Sequence, residues 1–150
     1  MQTDIEFLKN MNLTDMRTEN PDLIHPLVLA YVGDAVYELY IRTMLINKTN
    51  FNVNKLHKTG IGYVKAHAQS VIIHNMNECL SEKEQYIVKR GRNAKSATVP
   101  KNADITEYRY ATGFETLIGY LYLKEEYGRL KELLELSVQI VSKGEQDEQE

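Results

Sequence analysis

The sequence predicts an all-α domain. Apolar residues recur at helical spacing along most of the chain, and no segment alternates convincingly between apolar and polar residues as a strand does. Helix-starting residues precede several of the periodic segments. The 150 residues, 43% hydrophobic and 26% charged, indicate a single domain with its own core. We therefore expect a helical bundle.

The N-terminal half should contain three or four helices. A short helix is expected around Asp4 to Met11. Pro26 suits the first turn of a long helix that runs to about Ile46, because the first helical residue has no intrahelical N–H bond to lose. NKTNFN follows as a loop. Val53 to Cys79 is helical in pattern, and the glycines of TGIG predict a break that divides or bends it.

Two N-terminal helix caps are predicted in the C-terminal half. Ser81 and Glu84 have the spacing of a capping box, which predicts a helix from Glu82 to about Arg90. Residues 90–104, RGRNAKSATVPKNAD, lack periodicity and are expected to form a loop. Asp104 should cap a helix from Ile105 to about Glu125.

The last helix is amphipathic. Gly128 is expected to end or break the helix before it, and RLKELLELSVQIV places leucines and valines near helical spacing. Residues 145–150, EQDEQE, contain four acids and read as solvated. We predict a folded domain over residues 1–143 and a flexible acidic tail over residues 144–150.

Several functional classes are disfavoured. Three charges interrupt the apolar run Leu27–Ile46, which favours a buried helix over a membrane span, and the start does not resemble a secretory signal. Cys79 is the only cysteine, so no intrachain disulfide forms, as fits a reducing cytoplasm. GRNAKS lacks the second glycine of a phosphate-binding loop and follows a helix, so we expect no nucleotide cofactor. The histidines show no metal-ligand spacing.

Basic residues are concentrated in one segment although the net charge is −3. Residues 89–101 contain five basic residues and no acid. A local patch of this kind attracts a polyanion whatever the average charge. The alternative is an ordinary solvated loop. The candidates for RNA contact are Arg90, Arg92, Lys95 and Lys101.

Two strongly apolar helices each contain an acid beside small residues. Asp34 follows Gly33 in LAYVGDAVYELYIR, and Glu115 lies in YRYATGFETLIGYLYL. Surface positions are one interpretation, with Asp34 paired to Arg42 or to solvent. Alternatively the two carboxylates face each other and hold Mg²⁺, which binds one or two carboxylates together with waters and phosphate oxygens. A metal held this way can promote phosphodiester hydrolysis.

These two segments resemble the ribonuclease III family. YVGDAVYELYIR is similar to its signature helix, E-R-L-E-F-L-G-D-x-V-L, and GFETLIGYLYL is similar to its second acidic motif, D-x-x-E-A-L-I-G-A-x-Y-L-D. The motifs occur in the family's order, and the match covers roughly Pro26 to Val141. The signature glutamates fall on Leu27 and Ala30 here, and the aspartate of the second motif falls on Thr112. Only Asp34 and Glu115 carry over as catalytic and metal-binding residues.

The departures, with RGRNAKS and the short length, resemble the compact branch called Mini-ribonuclease III, which consists of the nuclease domain alone. The resemblance implies a homodimer and Mg²⁺-dependent endonucleolytic cleavage of double-stranded RNA. It also implies maturation of the large-subunit (23S) ribosomal RNA precursor in the bacterial cytoplasm, with a large-subunit ribosomal protein as a candidate partner. A double-stranded-RNA-binding domain is not expected after Lys143.

A dimer needs an apolar surface. The Asp34 helix has more apolar residues than one side of a small core accommodates, and aromatic residues and methionine are favoured at interfaces. The candidate interface residues are Leu29, Val36, Tyr37, Tyr40 and Met44.

Two other functional classes stay open on sequence alone. One is a non-catalytic double-stranded-RNA-binding or ribosome-associated helical protein that has lost family acids. The other is a helical protein-interaction module that docks through its tyrosine-rich helices and acidic tail.

Overall fold

The computed structural model describes residues 19–95 and 99–149, which form helices and contain no strand. This confirms the all-α prediction. In the described ranges the α-helices are α1 (Pro26–Lys48), α2 (Val53–Val64), α3 (Ala66–Met76), α4 (Glu82–Asn93), α5 (Ile105–Leu123) and α6 (Tyr127–Gln149). Short 3₁₀ turns span Pro21–Leu23 and Asn77–Cys79. The helix expected around Asp4 to Met11 lies outside the described residues.

Helix α5 is the centre of the bundle. It packs against α1, α3 and α4, and α6 closes one side. Its Phe114 is fully buried and meets the ring of Tyr37 edge to face, with ring centroids 5.0 Å apart. The Tyr37 hydroxyl donates to the carbonyl oxygen of Tyr63 at 2.8 Å, so this buried polar group has a partner. Burying one large apolar side chain contributes roughly 1.5–3 kcal/mol, so these contacts fix α5 firmly against α1.

Helices α1 and α5 touch through their backbones. A β-carbon added at Gly33 would overlap the main-chain carbonyl oxygen of Glu115, and one added at Gly119 would overlap that of Leu29. Only glycine allows this approach, because any side chain at either position would occupy the space of the other helix. The crossing therefore places residue 34 of α1 beside residue 115 of α5.

The predicted helix starts are confirmed. Pro26 is the first residue of α1. Ser81 accepts from the Glu84 N–H at 3.1 Å while Glu84 accepts from the Ser81 N–H at 2.9 Å, which completes the capping box. Asp104 accepts from the Glu107 N–H at 3.1 Å at the start of α5.

The expected division of Val53–Cys79 into two helices is found, but the break lies at Lys65 and not at Gly60 and Gly62. Helix α2 continues through both glycines, and the chain turns at Lys65, whose backbone is extended at φ −61° and ψ 153°. The Gln69 side chain donates from Nε2 to the carbonyl oxygen of Val64 at 2.9 Å. This bond gives the Val64 carbonyl oxygen, at the end of α2, a hydrogen-bond donor.

The predicted end of α5 is also corrected. The helix ends at Leu123, and the chain turns at Glu125, which has a left-handed φ of 60°. Gly128 neither ends nor breaks that helix, because it is the second residue of α6.

Two segments expected to be irregular are helical. Helix α4 continues to Asn93, so Arg90 and Arg92 lie on a helix rather than in the loop. Helix α6 continues to Gln149, so most of the predicted flexible tail extends a helix.

Candidate active site

Asp34 and Glu115 line one open pocket. Its volume is about 400 Å³, and α1, α5 and the corner between α2 and α3 form its walls. On α5, Tyr108, Thr112 and Glu115 recur every three or four residues, so they share the helix face that lines the pocket. The structure thus brings together the two acids that the sequence separates by about 80 residues.

The pocket also contains the positions where the family motifs have further acids. Leu27, Ala30 and Thr112 line it. The Thr112 hydroxyl donates to the carbonyl oxygen of Tyr108 at 3.0 Å, so its single donor is used within α5. Across residues 19–95 and 99–149, no group of three or more histidine, cysteine, aspartate or glutamate residues clusters as a metal-binding set. The carboxylate donors of this pocket are therefore Asp34 and Glu115.

Both carboxyl groups have raised pKa values. Partial burial, together with the charge of Asp34, raises the pKa of Glu115 from 4.5 to about 8. Asp34 as a residue is exposed, but its carboxyl group is partly desolvated. This desolvation and, second, the charge of Glu38 raise the pKa of Asp34. Neither acid has an ion-pair partner in the described part of the chain, since Arg42 pairs with Glu38 at 3.3 Å. The alternative in which Asp34 pairs with Arg42 is therefore wrong.

Mg²⁺ fits the residues of this pocket. The two carboxyl groups have raised pKa values and no basic partner among the described residues. A cation between them would reduce the repulsion between their charges. The pocket is open, so waters and phosphate oxygens have room to complete the coordination that magnesium requires. One further buried oxygen acceptor, Oε1 of Gln69, has no partner among the described residues and belongs to a residue that lines the same pocket.

The Glu115 carboxyl predicts a pH dependence of stability in the metal-free protein. Because its pKa is raised in the folded state, the folded protein binds more protons than the unfolded chain between pH 4.5 and about 8. The free energy of unfolding should therefore fall as the pH rises through this window, and Glu115→Gln should reduce that fall. Urea denaturation in chelator at about pH 5 and about pH 8.5 measures the difference. An equal loss in the wild type and in Glu115→Gln would contradict this assignment.

A protein-family comparison decides what kind of site this is. The model of the Ribonuclease III domain matches residues 27–126, two thirds of the chain, and this range contains both acids.

The chain belongs to the ribonuclease III family.

Curated relatives support the assignment at high identity. The chain is 53% identical over 135 residues to a Mini-ribonuclease 3 from Thermoanaerobacter sp. (strain X514), a match that covers 90% of this chain and 94% of the relative. It is 53% identical over 128 residues to a Mini-ribonuclease 3 from Clostridium tetani, covering 85% of each. A solved structure of a protein from Fusobacterium nucleatum aligns with a TM-score of 0.73 at 33% identity, over 85% of this chain and 99% of the other.

This ribonuclease III family member is an endoribonuclease. The expected resemblance to the Mini-ribonuclease III branch is confirmed by these relatives. The two non-catalytic alternatives, an RNA-binding protein and an interaction module, give way to an enzyme that acts on RNA.

The basic residues of the ribonuclease occupy different environments. Arg90 is partly buried and donates to the carbonyl oxygen of Ile24 at 3.5 Å. Arg92 donates to Asn93 at 3.2 Å, and its guanidinium lies 5.5 Å from the ring centroid of Tyr110. Lys95 and Lys101 are exposed. Arg90 therefore has a structural contact, whereas the two lysines are free to reach a ligand.

Two of the predicted interface residues are corrected. Leu29 and Tyr37 are fully buried in the core of the single chain, so they have no surface to offer a partner. Val36, Tyr40 and Met44 are partly buried and pack against that core.

Other apolar residues of α1 are exposed instead. Val28, Tyr31, Leu39 and Ile46 lie close to whole helical turns apart, and Tyr31 is 84% exposed. We call these four residues the α1 stripe.

Sequence reasoning did not single out Gln69. It is 2% exposed, and it lies where α3 meets the active-site pocket. An amide within a helix is unremarkable in a sequence, and only its burial with an unpaired oxygen marks it.

In residues 19–95 and 99–149, the helices are all too short or too polar to cross a lipid bilayer.

Proposed function

We propose that this endoribonuclease hydrolyses double-stranded RNA with Mg²⁺ held by Asp34 and Glu115. Its proposed substrate is the large-subunit (23S) ribosomal RNA precursor, and its proposed location is the bacterial cytoplasm. The observation that supports the proposal is the pair of carboxyl groups in one open pocket at the α1–α5 crossing, neither of which has an ion-pair partner among the described residues. The ribosomal substrate is what the resemblance to the Mini-ribonuclease III branch implies. On the same ground we propose a large-subunit ribosomal protein as a partner.

Asp34 and Glu115 have different proposed roles in the pocket. Bound Mg²⁺ would polarise the scissile phosphate and lower the pKa of an attacking water. Asp34 faces solvent, so its carboxylate is accessible to substrate and to hydrated ions. Glu115 is half-buried on the central helix α5, whose packing fixes the position of its backbone. The backbone contact at Gly33 keeps both acids at one place, and no side chain here needs to form a covalent intermediate.

The duplex should be held by its backbone. The major groove of A-form RNA is too narrow for side chains to read, so proteins contact its phosphates and 2′-hydroxyls. We propose Arg92, Lys95 and Lys101 for these contacts. Arg90 is proposed as a further phosphate contact that keeps its hydrogen bond to the Ile24 carbonyl oxygen. Arg92→Ala combined with Lys95→Ala should weaken duplex binding and reduce its salt dependence by about two phosphate contacts. Unchanged affinity and unchanged salt slope would remove these residues from the RNA-binding surface.

We propose that the enzyme is a homodimer that associates through the α1 stripe. A second copy is the occupant that best fits, because Tyr31 belongs to both the stripe and the active-site pocket, so pairing through it would bring two pockets together. Beside the stripe, a groove of about 340 Å³ between α1 and α2 contains Ile46, Val53 and Ile61 and adds apolar surface. Val36, Tyr40 and Met44 are only partly buried, so we keep them as candidate interface residues.

Sedimentation velocity at micromolar concentration tests this arrangement. The wild type should sediment as a dimer, and Leu39→Glu should sediment as a monomer because it would bury a charge in the interface. Tyr86→Glu is the matched control, since Tyr86 is also an exposed apolar residue but lies on α4. A monomeric wild type, or an effect of Tyr86→Glu equal to that of Leu39→Glu, would contradict the proposed interface.

Incubation with a long RNA duplex tests the function itself. With Mg²⁺ the wild type should cut both strands, and with chelator it should cut neither. Single-stranded RNA of the same sequence is the control and should be cut far more slowly. Equal cleavage in chelator would contradict the metal requirement, and preference for the single strand would contradict the proposed substrate.

A further inference from the structure

Among the residues that the structure describes, Gln69 is the one side chain at the pocket with a buried, unpaired oxygen. The residue is 2% exposed, and its Oε1 has no hydrogen-bond partner among residues 19–95 and 99–149. A buried acceptor without a partner destabilises a fold unless a water, an ion or a ligand completes it. The residue lines the pocket that contains Asp34 and Glu115.

The orientation of this amide is fixed by its other end. Nε2 donates to the Val64 carbonyl oxygen at 2.9 Å, and a carbonyl oxygen accepts bonds but donates none. Turning the amide over would place two acceptors against each other. The geometry therefore directs the amide nitrogen to the α2–α3 corner and leaves the oxygen to accept a bond from something else.

The pocket has fewer anionic oxygens than the family motifs specify. Ala30 and Thr112 occupy positions where the family has acids, and both line the pocket. The Thr112 hydroxyl already donates to Tyr108. An ion held by Asp34 and Glu115 alone would retain several waters, because magnesium dehydrates reluctantly. Each such water is a hydrogen-bond donor, which is the group that the Gln69 oxygen lacks.

We propose that Oε1 of Gln69 accepts a hydrogen bond from a water of the bound divalent cation and so takes over part of the role of the absent acids. Gln69 is then a positioning residue, acting through water on the metal. This inference rests on the proposed function, in which Asp34 and Glu115 hold the cation. Groups that orient metal ligands in this way typically change metal affinity by about 10–100-fold when they are removed.

Titration of the RNA-free protein with Mn²⁺, followed by electron paramagnetic resonance into the millimolar range, provides a readout that does not depend on cleavage. Gln69→Leu should weaken Mn²⁺ binding about tenfold or more, because it removes the acceptor at similar volume. Gln69→Glu should tighten binding, because it places a carboxylate oxygen at the same position. Asn75→Leu is the matched control and should bind Mn²⁺ as the wild type does. Asn75 lies on the same helix, is exposed, and donates to the Val71 carbonyl oxygen at 2.8 Å.

The two substitutions at Gln69 separate positioning from a purely structural role. Both remove the bond to Val64, so a structural role predicts that both weaken binding alike or leave it unchanged. The proposal predicts changes in opposite directions. Melting temperatures show which variants are folded. If Gln69→Leu does not fold, Gln69→Glu decides alone, and binding no tighter than that of the wild type overturns the inference.

Asp34→Asn distinguishes failure of this inference from failure of the proposed function. If the wild type binds Mn²⁺, Asp34→Asn does not, and Gln69→Leu binds as tightly as the wild type, only the role of Gln69 is overturned. If Asp34→Asn binds Mn²⁺ as the wild type does, the proposed metal site is wrong and the role of Gln69 falls with it.

Discussion

Asp34→Asn should reduce the rate of duplex cleavage by about 10³-fold or more. Metal-held phosphoryl oxygens contribute several kcal/mol of transition-state stabilisation, and each 1.36 kcal/mol corresponds to a factor of ten in rate. The neutral amide keeps the shape of the side chain but removes half of the carboxylate charge available to a cation in this pocket. Glu115→Gln should show a loss of similar size.

The same substitution should leave the fold intact. In the metal-free protein burial and, second, the charge of Asp34 raise the pKa of Glu115, so the Asp34 charge disfavours ionisation of Glu115. Removing one charge should therefore maintain or raise the melting temperature while activity is lost. Glu38→Gln is the matched control, because Glu38 lies one turn along α1 and pairs with Arg42. Its activity should stay near that of the wild type. Cleavage by Asp34→Asn at the wild-type rate would contradict the assignment of this acid.

Gly33→Ala should destabilise the protein by about 3 kcal/mol or more. The added methyl group would overlap the Glu115 carbonyl oxygen and crowd the Gly119 nitrogen. Both atoms belong to helix backbone, which cannot rotate away. The helices would have to separate at the crossing that packs the centre of the core. For a chain of this size the melting temperature should fall by roughly 6–12 °C. Activity should fall further than stability predicts, because separation of α1 and α5 moves Asp34 away from Glu115.

Gly128→Ala is the control for this substitution. Gly128 is helical, and a methyl group there would have no neighbour within 4 Å. Alanine should stabilise that helix by about 0.5–1 kcal/mol, because it loses less backbone entropy on folding than glycine. Thermal denaturation of both variants measures the contrast. Equal effects at the two glycines would mean that the tight crossing does not contribute to stability as described.

The sequence alone predicts the helices where short-range chemistry specifies them. Pro26, Ser81 with Glu84, and Asp104 all start helices as expected, because a cap depends on residues a few positions apart. The glycines at 60 and 62 mislead, since a helix accepts glycine at a modest cost when its ends are held elsewhere. Here the Lys65 turn and the Gln69–Val64 bond hold the end of α2.

The faces of the apolar helices could not be read from the sequence. Helix α1 is apolar on nearly all sides, so its pattern has no phase that separates core from surface. Leu29 and Tyr37 turn inward while Tyr31 and Leu39 turn outward, and only the crossing with α5 decides this. Asp34 and Glu115 could be selected as candidates because they stand out chemically in those apolar segments and occupy acidic positions of the family motifs. Gln69 could not, because its unpaired oxygen is a property of the packed structure.

The central claim is that Asp34 and Glu115 share one divalent cation, and the most direct test is to locate the metal. Crystals grown with a non-cleavable RNA duplex and Mn²⁺ should show an anomalous-scattering peak between the two carboxylates, next to a phosphate of the duplex. The peak should be lost in Asp34→Asn. A metal bound at another place, or carboxylate oxygens too far apart to be joined by one hydrated ion, would contradict the account.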